Sequence, residues 1–84
     1  MTGSSIAAPR VLVVEDEYLI RMLLEDMLDE LGYGVAAAVG TISEARKIAA
    51  DGEFSAAILD VNLDGQEIYP VADILAQRGL PFVF

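Results

Sequence analysis

Two strand-like apolar runs in this chain end in acid: Val11-Leu12-Val13-Val14 leads into Glu15-Asp16-Glu17, and Ala56-Ala57-Ile58-Leu59 leads into Asp60. A run with no polar break is the pattern of a strand covered on both faces, as strands of a parallel sheet are. Parallel neighbours need a long crossover, usually a helix that returns with a right-handed turn. The chain is therefore expected to alternate strands and helices.

The intervening segments supply those helices. Leu19, Ile20, Leu23, Leu24, Met27, Leu28 and Leu31 form a broad helical stripe, with Arg21, Glu25, Asp26 and Asp29 opposite. Gly32 and Gly34 follow where a left-handed C-terminal cap is expected. Tyr33 to Val39 is a weaker, alanine-rich strand candidate, and Thr41-Ile42-Ser43-Glu44 is a capping-box pattern that starts a second helix running to about Ala50. After the Ala56–Leu59 strand, residues 61–67 read as a polar loop. Pro70 stands at a plausible first helical position of a third helix with Val71, Ile74 and Leu75 inward. Gly79 and Pro81 stop it, and Phe82-Val83-Phe84 starts a fourth strand. The order β-α-β-α-β-α-β predicts an α/β fold with a parallel sheet and helices on both faces. Ligands of such sheets bind beyond the carboxyl ends of the strands, which is where Glu15, Asp16 and Asp60 fall.

Composition narrows the chemistry. The 84 residues suffice for one small domain, and 55% of them are apolar. Met1 to Ala8 reads as a disordered N-terminal arm and residues 9–84 as the folded part. The arm has no basic n-region and no apolar stretch of signal-peptide length, and no later run approaches a membrane span, so a cytoplasmic location and no membrane partner are expected. There are no cysteines and no histidines, which leaves carboxylates, backbone and metal to carry any reaction. Fourteen acids against five bases give a net charge of −9, which opposes contact with a nucleic-acid backbone. Most of the acids, Glu25, Asp26, Asp29, Glu30, Glu44, Asp51 and Glu53 among them, read as solvated helix faces.

Glu15, Asp16 and Asp60 read differently if the first and third strands are neighbours. Carboxylates that close raise one another's pKa, and a hard cation such as Mg²⁺, which accepts a few carboxylates plus waters and substrate oxygens, relieves the repulsion. Asp60 could also serve as a nucleophile toward phosphorus. A lone Asp after a strand more often caps the following loop, but three acids in two registered places favour a site. Glu17 reads as a negative charge favoured by the start of the first helix. Asp60-Val61-Asn62-Leu63-Asp64-Gly65 also matches the opening of an EF-hand loop, yet position twelve is Val71 and not a bidentate Glu, so that reading fails. A haloacid-dehalogenase-type phosphatase would have a second Asp where this chain has Asn62. No glycine-rich phosphate loop is present.

The segments Val11-Leu12-Val13-Val14-Glu15-Asp16-Glu17 and Ile58-Leu59-Asp60-Val61-Asn62-Leu63 closely resemble the receiver domain of two-component response regulators, over about residues 9 to 84. The resemblance implies a flavodoxin-like (βα)5 fold with sheet order 2-1-3-4-5, here about (βα)3 plus the start of the fourth strand. It implies a phosphoacceptor signalling domain in a phosphorelay, at most phosphorylating itself from small phosphodonors, and not an enzyme in the ordinary sense. Asp60 would take a phosphoryl group from a sensor histidine kinase. Asp16, Asp60 and the main-chain carbonyl of Asn62 would bind Mg²⁺ directly, and Glu15 would act through a bound water. Tyr69-Pro70-Val71-Ala72-Asp73 with Pro81-Phe82-Val83-Phe84 is similar to single-domain alphaproteobacterial receivers whose switch region reads Phe-Ala-Thr-Gly.

Departures from that pattern set further expectations. Asp64-Gly65 stands where the family commonly has a proline. Its switch Ser or Thr and conserved Lys find no counterpart before Phe84, and the one lysine, Lys47, falls on the second helix. A chain ending there exposes an apolar sheet edge, which favours self-association with a second copy. The alternatives to a phosphorylated receiver are a non-phosphorylated interaction module and an inactive fragment that self-associates.

Overall fold

The computed structural model of the chain describes residues 8–63 and 66–84; residues 1–7 of the expected Met1–Ala8 arm and the Asp64-Gly65 dipeptide lie outside them. Four strands, β1 (Arg10–Val14), β2 (Gly34–Val39), β3 (Ala56–Leu59) and β6 (Phe82–Val83), form one parallel sheet in the order β2-β1-β3-β6. Three helices connect them: α1 (Tyr18–Glu30), α2 (Ile42–Asp51) and α3 (Tyr69–Gln77). With β6 as the fourth sheet strand, this is the expected 2-1-3-4 arrangement. Among the described residues no helix is long and apolar enough to cross a membrane.

Alternation along β1 sends its side chains to two different cores. Leu12 and Val14 join Leu59 of β3, Ala45 and Ala49 of α2, and Val71 and Leu75 of α3 in the larger cluster. Val11 and Val13 face the opposite way and meet Leu28 of α1. Continuous apolar runs are what a strand needs when both faces are covered.

Local signals act as the sequence anticipates, with small corrections. Gly32 has φ +87°, and the Tyr33 N–H reaches the Leu28 carbonyl while the Gly32 N–H reaches that of Asp29, the Schellman pattern that ends α1. Gly34 has no positive φ and simply opens β2. At the start of α2 the Glu44 N–H donates to Thr41 Oγ1 at 3.2 Å, and that hydroxyl donates to Glu44 Oε1 at 2.9 Å, so the carboxylate meets the hydroxyl and not the Thr41 N–H. Pro70 is the second residue of α3, after Tyr69, a position that also costs no intrahelical hydrogen bond.

Two expectations need larger correction. The segment read as a polar loop contains two short antiparallel strands, β4 (Asn62–Leu63) and β5 (Gln66–Glu67). Leu63 and the following Ile68 are buried in the larger core, which anchors this hairpin to the domain. The sequence signal for it is Asp64-Gly65, a dipeptide favoured between hairpin strands. The stripe on α1 is also broader than the surface that covers it. Leu28 is buried and Leu24 partly so, whereas Leu19, Leu23 and Leu31 are 72%, 60% and 70% exposed. On the far side of β3 the parallel sheet continues into β6, with Ala57 opposite Phe82 and Ile58 opposite Val83.

Arg78, just past α3, closes the larger core from outside. Its guanidinium donates to the carbonyls of Ala49 at 2.6 Å and Gly52 at 2.9 Å and stacks over the Phe54 ring. Leu75, fully buried on α3, is the inner half of the same junction. Truncation by Leu75→Ala leaves a cavity and is expected to cost about 2–5 kcal/mol, a large part of a small domain's stability. A thermal melt followed by circular dichroism that moved by only a degree or two would show that α3 lies outside the cooperative core.

Candidate functional site

The pairing of β1 with β3 runs Val11↔Ala56 through Val14↔Leu59. The next residue on each strand is therefore an acid, Glu15 beside Asp60. Two hydrogen bonds continue the ladder past the last paired residues: the Asp60 N–H donates to the Val14 carbonyl at 2.9 Å, and the Glu15 N–H donates to the Val39 carbonyl at 3.0 Å. Three strand ends are thus tied into one row, and the acids stand on its rim.

Carboxylate oxygens of Glu15, Asp16 and Asp60 all lie within 4.8 Å of one another. These three are the acids expected from sequence, and the structure brings them together. The fourth expected group, the main chain of Asn62, opens β4 two residues after Asp60. Glu17 stands immediately before α1, where its side chain makes no capping hydrogen bond; its N–H instead donates to Glu15 Oε2 at 3.0 Å. That contact orients the Glu15 carboxylate within the turn.

One residue read from sequence as a bystander also touches the site. Arg21, placed by its periodicity on the solvated side of α1, is half-buried, and its Nη1 donates to the Glu15 carbonyl at 2.7 Å. Its guanidinium lies 5.6 Å from the centre of the Tyr18 ring. Gly40 sits against it: a Cβ there would come within 2.6 Å of Arg21 Nη1. Periodicity reports only the face on which a side chain starts, and a long arginine that folds back along its helix escapes it.

The electrostatics follow from burial first and crowding second. The Glu15 carboxyl is pushed above its ordinary value of 4.5, first by burial, while the Glu17 N–H pulls it back down; the Asp60 charge and then the hydrogen bond and charge of Asp16 add to the rise. Hard oxygen donors converging on a space of this size, with one acid already held toward its neutral form, fit a small divalent cation such as Mg²⁺.

Residues 11–82 match the family described as response regulator receiver domain. The chain is 37% identical over 84 residues to the transcriptional regulatory protein PdtaR of Mycobacterium tuberculosis, spanning 98% of this chain and 41% of that protein. It is 38% identical over 80 residues to the phyllosphere-induced regulator PhyR of Methylorubrum extorquens, spanning 92% of this chain and 30% of that one. The chain thus covers less than half the length of either. The solution structure of SdrG from Sphingomonas melonis Fr1 superposes with a TM-score of 0.84 at 48% identity, over 94% of this chain and 68% of that one. The BeF3-activated conformation of SdrG gives 0.77 at 49% identity, over 93% of this chain and 67% of that one.

A raised folded-state pKa means that the folded protein binds the Glu15 proton more tightly than the unfolded chain does. The stabilisation is fully present below 4.5 and is lost as pH rises through the folded-state value. In metal-free buffer, Glu15→Gln should therefore gain melting temperature relative to the parent as pH climbs from that region to neutrality. Parallel curves for the two proteins would show that Glu15 carries no such penalty.

Proposed function

The chain belongs to the response regulator receiver domain family, and on that premise we propose that Asp60 accepts a phosphoryl group from a sensor histidine kinase in a phosphorelay, with Mg²⁺ as cofactor. The observation that carries this reading is the convergence of the Glu15, Asp16 and Asp60 carboxylates within 4.8 Å at the ends of β1 and β3. Asp16, Asp60 and the main-chain carbonyl of Asn62 would hold the cation directly, and Glu15 would hold it through a water. Bound there, Mg²⁺ would neutralise charge on the phosphoryl oxygens and draw them toward the carboxylates.

The protein's own part is positioning. Phosphoryl transfer needs an attacking oxygen in line with the leaving group and little covalent help. Asp60 leaves a buried strand through an N–H held by Val14, so its carboxylate starts from a fixed backbone. A carboxylate oxygen of Asp60 attacks phosphorus, the P–N bond to the donor imidazole breaks, and the product is an aspartyl phosphate. Glu15 and Asp16, on the turn opposite, keep their carboxylates on the same side.

Partners in this reading are proteins: a kinase upstream and a protein surface downstream, in the cytoplasm, with no nucleic acid bound by this chain itself.

Incubation with Mg²⁺ and a small-molecule phosphodonor is expected to add one phosphoryl mass to the intact protein and none to Asp60→Asn. An adduct that persists in the variant would place the acceptor elsewhere; no adduct on either protein would favour the non-phosphorylated interaction module.

A further inference from the structure

Glu15 is held at each of its polar groups. Its N–H donates to Val39 at the end of β2, its carboxylate accepts from the Glu17 N–H, and its carbonyl accepts from Arg21. The first two are local continuations of the sheet and the turn. The third is a side chain reaching back from α1, whose own N–H is bonded to the Glu17 carbonyl at 2.9 Å. Arg21 therefore spans the turn that carries Asp16 from both sides, by its backbone at Glu17 and by its guanidinium at Glu15.

Gly40, the residue between β2 and the Thr41 cap of α2, completes the arrangement. The guanidinium lies where a side chain at 40 would go: an added Cβ would meet Nη1 at 2.6 Å and Cζ at 3.7 Å. Gly40 has no positive φ, so nothing in its backbone demands glycine. What it supplies is room for Arg21.

We propose that Arg21 is a positioning residue of the acid site, its guanidinium clamping the Glu15 carbonyl through the space left by Gly40 so that the Glu15-Asp16 turn faces Asp60 with its carboxylates converged. The inference rests on the reading of those carboxylates as a cation site. Its logic is that of outer-shell groups, which orient ligands without touching the metal and whose loss typically weakens metal affinity about 10- to 100-fold.

A charge argument alone gives the opposite sign. Arg21 is a cation beside a site for cations, so if it acted only through its field, removing it would strengthen Mg²⁺ binding. A clamp gives weaker binding when removed. The direction of the change decides between them.

The test uses Arg21→Met, which keeps an unbranched apolar stem and removes the charge and the donors; Arg21→Lys, which keeps the charge and a single donor nitrogen; and Gly40→Ala, which keeps Arg21 and takes its space. Mg²⁺ affinity is measured by isothermal titration, alongside the melting temperature and amide hydrogen exchange at residues 15–17 without metal. Arg21→Met and Gly40→Ala should each weaken Mg²⁺ binding about tenfold and speed exchange at Glu15 and Glu17, and Arg21→Lys should recover much of the affinity. Tighter binding by Arg21→Met, or unchanged affinity and exchange with only a lowered melting temperature, would overturn the clamp. Failure of the parent protein to bind Mg²⁺ would overturn the cation reading, and the exchange rates would then decide the clamp on their own.

Discussion

The register of β1 against β3 is the constraint on which the rest of the site depends. Because Val14 pairs with Leu59, the next residues are both acids and both emerge at the same end of the sheet. A slip by one residue would turn the side chains of one strand to the opposite face, exchanging Leu59 for Ile58 in the larger core and separating the carboxylates. Burial of Leu12, Val14 and Leu59 selects against that slip. The chemistry at the rim is therefore set by apolar packing in the strands behind it.

This arrangement places repulsion where the fold can tolerate it. Two carboxylates about 4 Å apart repel by about 1 kcal/mol in water and about 4 kcal/mol near a protein surface. Each large apolar side chain buried in the strands contributes about 1.5–3 kcal/mol. The strands that carry the acids are among the most buried segments of the chain, with Leu12, Val13, Val14 and Leu59 all at 2% exposure or less. Their packing outweighs the crowding of charge at their ends, and the Glu15 carboxyl, raised first by its burial and then by the neighbouring Asp60 and Asp16, records both effects.

The parts of the fold legible in the sequence are those in which one residue type has one physical use. The runs over 11–14 and 56–59 mark buried parallel strands, Gly32 marks a left-handed cap, and the Thr41–Glu44 pair marks the start of α2. The acid trio was readable because strand ends and parallel order together fix its location. The β4–β5 hairpin was harder: two-residue strands are too short to show a period, and the Asp64-Gly65 signal competes with the ordinary reading of a polar loop. The α1 stripe was readable as helix but not as burial, since a period of 3.6 says which residues share a face and not how much of that face is covered. Arg21 and Gly40 were invisible because their partners are a backbone carbonyl and an empty volume, neither of which has a letter in the sequence.

The thin packing of α1 explains why a polar contact matters at this site. Leu28 near the C-terminus of the helix is buried and Leu24 is partly buried, while Tyr18, Leu19, Ile20, Met22 and Leu23 at the other end are all exposed. Apolar burial thus anchors the half of the helix that lies farther along the chain from the acids. The half that continues directly from Asp16 and Glu17 has little such anchorage, yet it determines the path of the turn between Glu15 and the first helical residues. A charged donor on a backbone acceptor is short and directional, properties that dispersed apolar contact does not provide, and the 2.7 Å bond from Arg21 to Glu15 lies where that anchorage is thinnest. The helix is consequently held at two places by two different forces, Leu28 against the sheet and Arg21 against the turn, and only the second acts directly on the positions of the carboxylates.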